Sequence, residues 1–217
     1  MIKVNPQDIK NFREKGWCIL KSGFDNKELL NYKKNVGEIE VQAKKINYKP
    51  GRIYYDYIQS FNLAAVEAPL NKIVCNNEVL NFFKKLEIGN AVNKIMGWEN
   101  AICTLIRLFC MGNYNYSGHW HQDYDDKVMK YQGAAIQASI ILKDEKGFHI
   151  LKKEKRNEFY SNEFDKKLKI HGSMNVLPTL IDKKFYDIVS VKSGEIFLFD
   201  PFLYHKGSCN RKRLQFH

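Results

Sequence analysis

The chain has 217 residues, 44% of them hydrophobic and 13% aromatic, with a formal net charge of +11. That composition excludes a disordered chain and is enough for one ordinary domain with a sizeable core. The basic excess is mostly Lys, 29 of 35 cationic residues, spread along the chain beside 20 Asn without a basic run interleaved by aromatics. It reads as a compositional bias and gives no support to a nucleic-acid partner.

The start, MIKVNPQDIK, is polar by residue 5 and has no leader-type apolar stretch. No apolar run reaches the roughly 18 residues of a membrane span. Asn5-Pro6 opens a predicted helix with Ile9 and Phe12 on its apolar face, and Gly16 ends it. WCIL (17–20) reads as a strand. Asp25 and Glu28 have capping-box spacing before a second helix with Leu29, Leu30, Tyr32 and Val36. The Tyr-rich stretch 48–61 reads as turn plus extended chain, with Tyr54, Tyr55 and Tyr57 suited to strand packing. A helical block, roughly 76–97, follows with a break at Gly89.

After residue 100 the pattern changes. AICTLIRLFC (101–110), AAIQASIILKD (134–144), FYDIVSV (185–191), EIFLFD (195–200) and RLQFH (213–217) are β-branched, aromatic or alternating, with turn signals between them. The expectation is a single domain over 1–217, mainly β with an N-terminal α layer. Residues 1–99 form the mostly helical flank and 100–217 a jelly-roll barrel core, with a lid-like segment carrying a short helix at 145–184. Five cysteines (Cys18, Cys75, Cys103, Cys110, Cys209) form no CxxC pair and are odd in number, which favours reduced thiols in a cytoplasm.

The stretch SGHWHQDYDD (117–126) carries the chemistry. His121 and Asp123 are two apart, so on a strand both point to one face and both reach one ion. In GEIFLFDPFLYHKGSCNR (194–211), Gly194 turns the chain into an apolar strand with His205 beyond its far end. Two His and one carboxylate make the facial triad of non-haem iron(II), which leaves positions open for a bidentate cosubstrate and dioxygen. By composition, chance alone gives roughly 0.3 HxD pairs in such a chain, so the pair by itself is a weak signal and His205 carries the case. His119, His149, His171 and His217 have no ligand-spaced partner and read as structural. A dicarboxylic cosubstrate needs a fixed guanidinium, and Arg211 and Arg213 share a face just after His205.

These residues resemble the phytanoyl-CoA dioxygenase-like branch of the iron(II)/2-oxoglutarate oxygenases, and the resemblance covers most of the chain. IKNFREKGWCILKSGFDNKELL is similar to the family's opening, HWHQD to its W-H-x-D motif, SGEIFLFDPFLYHKGSCNR to its G-D-x-x-x-F…H-x-S…N pattern, and RKRLQFH to its R-x-S-L-Q-F ending. KGFHILKKEKR keeps Gly147 of the family's N-G-x-x-x-x-P-G-S-H stretch but lacks the Pro-Gly-Ser-His.

The resemblance implies a double-stranded β-helix and an Fe(II)- and 2-oxoglutarate-dependent hydroxylase that consumes O2. Its metal ligands would be His121, Asp123 and His205. Alignment on Leu-Gln-Phe puts the 2-oxoglutarate C5 carboxylate on Arg211, while the short spacing from His205 keeps Arg213 in contention; Arg107 is placed to assist either acid. An Asp at 123 argues against halogenation. A small-molecule substrate is implied, with the Lys-rich 145–184 segment suggesting an anionic or carrier-linked one. Two alternatives stand beside this reading. HWH (119–121) with Pro201, His205 and Asn210 faintly resembles a cupin-type metal protein such as a sugar-modifying isomerase, and a non-catalytic barrel binding module would need no metal.

Overall fold

The computed structural model describes residues 2–34, 81, 84–101, 108–110, 115–117, 120–123, 133, 135–161, 169–171, 174–176, 181–210 and 214–216. Helix α1, Pro6–Lys15, begins at a reciprocal capping box in which Asn5 and Asp8 each accept the other's backbone N–H. It ends at Gly16, whose φ of 78° suits a residue without Cβ and lets its N–H reach the Phe12 carbonyl. Asp25 and Glu28 form a second such box, and residues 26–34 are helical. Helix α2 runs Ile88–Met96. The break expected at Gly89 lies instead at Glu87, which takes a left-handed φ of 51°. Gly89 is within the helix. The kink at Glu87 allows buried Leu86 and the Ala91, Val92 and Ile95 face of α2 to pack on one core.

Thirteen strands are described: β1 (Trp17–Lys21), β2 (Leu108–Cys110), β3 (Asn115–Ser117), β4 (His121–Gln122), β5 (Gln137–Ile141), β6 (Glu145–Leu151), β7 (Lys169–His171), β8 (Met174–Val176), β9 (Tyr186–Val191), β10 (Glu195–Phe199), β11 (His205–Lys206), β12 (Ser208–Asn210) and β13 (Leu214–Phe216). They form a five-stranded sheet in the order β1-β10-β5-β13-β2, a six-stranded sheet in the order β7-β8-β4-β11-β6-β9, and a β12-β3 pair. Their pairings are antiparallel. Among the described residues no strand bridges the two larger sheets by hydrogen bonds. The expected barrel is therefore a pair of facing sheets here, without closure.

Alternation along the strands builds both layers of the core. In β10, Ile196 and Leu198 point outward to α1 and α2, together with Cys18 and Leu20 of β1 and Ile140 of β5. Phe197 and Phe199 point inward and meet Phe148 of β6 at ring distances of 4.7 and 5.1 Å. Ile150, Val189 and Val191 of the six-stranded sheet complete that inner cluster with Ile141. A strand buried on both faces reads as an unbroken apolar run, which is why EIFLF carries no polar alternation. The outer face of the six-stranded sheet is covered by a third cluster that includes Trp120, Phe159, Phe185 and Tyr204.

The 145–184 segment carries its expected short helix, α3, at Arg156–Ser161. Its opening is not lid-like, however: Glu145–Leu151 is β6, paired with both β9 and β11. Gly147, with φ of 91°, marks the irregularity between Lys146 and Phe148 in that strand. Cys18 is buried, and that burial pushes its thiol up to about 12, so it stays protonated and unreactive at neutral pH. No helix among the described residues is long and apolar enough to cross a membrane. Tyr54, Tyr55, Tyr57, His119 and His217 lie outside the described residues.

Candidate metal centre

Two adjacent strands of the six-stranded sheet deliver the histidines. His121 in β4 and His205 in β11 are cross-strand partners, and His205 is also paired with Ile150 of β6. Directly opposed residues share a face, so both imidazoles join Ile150 on the inner side. Their ring centroids are 4.4 Å apart. Asp123 follows β4 by one residue and lies two from His121, keeping its side chain on the same face; its N–H is held by the Pro201 carbonyl at 3.2 Å.

The three side chains converge. His121 Nε2 is 3.7 Å from Asp123 Oδ1, and His205 Nε2 is 3.6 Å from Asp123 Oδ2. One ligand atom from each residue lies within 4.8 Å of the other two. Side-chain exposure rises from 3% at His205 through 13% at Asp123 to 22% at His121, so the cluster opens to solvent on the His121 side.

The surroundings fix the deeper histidine, His205. Phe148 stacks on the His205 ring at 5.8 Å and Phe199 meets it edge-on at 4.9 Å. His205 Nδ1 lies 2.9 Å from the Leu203 carbonyl oxygen. A carbonyl only accepts, so Nδ1 carries the proton and the lone pair is on Nε2, the atom facing Asp123. The turn before β11 is itself anchored. Asp200 accepts the Phe202 N–H at 2.9 Å through its side chain and the Leu203 N–H at 3.1 Å through its carbonyl. Burial raises the Asp200 carboxyl above the usual carboxylate range. Gln122, fully buried between His121 and Asp123, donates its amide to the Phe202 carbonyl at 2.7 Å. At this corner the Asp200 N–H donates to the Gly16 carbonyl at 2.8 Å.

The donor set fits a divalent transition metal: two imidazole nitrogens with a defined tautomer on at least one, and one carboxylate, all on one inner wall. The other described histidines do not join. His149 alternates to the outer face, half-buried against Trp120 and Tyr186 at 5.9 and 5.1 Å, and burial lowers its imidazolium pKa. His171 lies in β7. Arg107, Arg211 and Arg213 fall outside the described residues.

The sequence reading does not single out Gln137, whose side chain touches Asp123 from the opposite sheet. A signal was available: Gln137 and Ser139 put polar groups on the inner face of a strand that is otherwise apolar on both sides.

No protein-family model and no curated protein matches the chain. Solved structures do match. The carbocyclase SnoK from nogalamycin biosynthesis, a non-haem α-ketoglutarate-dependent enzyme, is 10% identical; the match covers 99% of this chain and 82% of that one, with a TM-score of 0.58. EctD from S. alaskensis, solved with 2-oxoglutarate and 5-hydroxyectoine, is 13% identical over 98% and 74% of the two chains, with a TM-score of 0.55. The non-haem monooxygenase ThoJ, solved as a nickel complex, is 16% identical over 96% and 74%, with a TM-score of 0.52. The chain therefore shares the fold of non-haem oxygenases, among them 2-oxoglutarate-dependent ones.

Proposed function

We propose that the chain is a non-haem Fe(II)- and 2-oxoglutarate-dependent dioxygenase, of the phytanoyl-CoA dioxygenase-like kind, that hydroxylates a small molecule. The observation that carries the reading is the meeting of His121, Asp123 and His205 on one inner wall. The likeness to SnoK and EctD supports the choice of cosubstrate. The overall reaction balances as substrate C–H plus 2-oxoglutarate plus O2 giving C–OH, succinate and CO2.

Bound iron would supply the redox step between O2 and the 2-oxo acid. The chain's own residues do the rest. His121 and His205 offer neutral nitrogens, and Asp123 offsets one unit of the metal's charge. The Leu203 carbonyl holds the His205 ring in its ligating tautomer. Phe148 and Phe199 wall off the deep side of His205 and keep water from that edge. The exposed His121 side is where substrate enters. Arg211 or Arg213 takes the C5 carboxylate of 2-oxoglutarate, with Arg107 assisting. The basic balance suits an anionic or carrier-linked substrate, and the scattered cysteines, odd in number and without a CxxC pair, suit a cytoplasmic enzyme.

The test needs no substrate. Metal-free protein titrated anaerobically with Fe(II) and then 2-oxoglutarate is expected to develop a visible charge-transfer band. His205→Ala is expected to abolish it, and whichever of Arg211→Ala and Arg213→Ala weakens it identifies the anchoring guanidinium. Tight metal binding with no 2-oxoglutarate-dependent band would sink this reading in favour of the cupin-type one.

A further inference from the structure

One side chain reaches the triad from across the interior. Gln137 opens β5, paired in register with Phe199 of β10, and so belongs to the five-stranded sheet while the ligands belong to the six-stranded one. Its Nε2 donates to Asp123 Oδ2. Chemistry fixes the amide's orientation, because an ionised carboxylate accepts and never donates; nitrogen, not oxygen, must face Asp123. The other end, Oε1, is buried without a hydrogen-bond partner in the structure. For an amide that merely filled space, that oxygen would be pure cost, and an apolar side chain of similar size would pack there without it. What the amide gains is its hydrogen bond to Asp123.

We propose that Gln137 is the positioning residue of the metal centre. It engages Asp123 Oδ2, the oxygen 3.6 Å from His205 Nε2, and so fixes the rotation of the carboxylate, leaving Oδ1, 3.7 Å from His121 Nε2, as the oxygen free of that hydrogen bond to ligate the ion. This rests on the metal reading given above and deepens it. A carboxylate free to turn can chelate through both oxygens and take up an extra coordination position. A carboxylate whose rotation is fixed by a hydrogen bond to one oxygen is biased to ligate through the other. Gln137 thereby keeps three positions open, the number that a bidentate 2-oxo acid and dioxygen together need. It also ties the two sheets together at the mouth of the site, so the spacing between them bears directly on the ligand set.

Gln137→Leu and Gln137→Met, both without the donor and close to it in size, test this in the full chain. Co(II) serves as probe, read by its visible absorption, and the melting temperature of the metal-free protein is read in parallel. Both variants are expected to bind Co(II) about 10–100-fold more weakly, with an altered visible spectrum from the freed carboxylate. The metal-free melting temperature is expected to stay the same or rise, since the oxygen removed had no partner. Affinity and spectrum equal to wild type in both variants would overturn the proposal. So would a metal-free melting temperature that falls in step with affinity, which marks Gln137 as packing alone. If wild type and His205→Ala bind Co(II) equally, the centre itself fails, and the role of Gln137 falls with it.

Discussion

The five-residue ladders of β1, β10 and β5 and the two-residue strands that carry the histidines differ in length, and the difference tracks their tasks. In the five-stranded sheet, β1, β10 and β5 are five residues each and paired in register, with β10 apolar on both faces. In the six-stranded sheet, the strands that carry the histidines, β4 and β11, are two residues each. The long ladders supply a rigid floor. The short ones are just sufficient to fix a side-chain direction before the chain turns away to bring the next ligand or backbone contact. Rigidity is thus lent to the site by its neighbours, through Phe148 and Phe199 against His205 and through Gln137 against Asp123.

The contrast can be attacked at three depths. Phe197→Ala removes an inward ring of β10 that contacts Phe148, and is expected to cost about 3–5 kcal/mol of stability in denaturant unfolding. The same truncation at Ile188, half-exposed on the outer face of β9, is expected to cost far less, and equal losses would erase the distinction between floor and rim. Gly16→Ala combines a left-handed φ with a Cβ that has no room beside Leu203, so a loss of about 1–3 kcal/mol is expected. Because the Leu203 carbonyl holds His205, Co(II) affinity should fall as well; unchanged affinity would show that the site does not feel this corner. Asn5→Ala removes one half of the capping box and should cost about 1 kcal/mol, leaving Co(II) affinity untouched, since α1 packs on the other side of the five-stranded sheet.

Much of the fold was legible because local signals and tertiary packing agree. Asn5, Pro6 and Gly16 bound α1 by their own chemistry, and EIFLF and YDIVSV could be little other than strands. That His121, Asp123 and His205 would meet was legible too, by spacing and by the turn at Gly194. What the sequence hid was non-local. Nothing in the vicinity of Gly89 says that Glu87 will bend the chain, because the bend is imposed by where Leu86 and Ile95 must both be buried. KGFHIL reads as part of a polar connection because its alternation is interrupted at Gly147, yet pairing on both edges makes it a central strand. Gln137 lies 14 residues from Asp123 with no motif linking them; only the stacking of two sheets brings the amide to the carboxylate.

The pairing of His121 with His205 on one rung has a consequence for the unfolded chain as well as for the site. Two-residue strands oppose sliding weakly, and a slip of one residue would turn an imidazole out of the interior. On the proposed reading, an ion held by both rings would work as a removable cross-link between segments far apart in the sequence, closing a long loop much as a disulfide does. Chelation would then be read in the unfolding curve as well as in the chemistry, and a chain that has mispaired these strands would be one that cannot hold its metal.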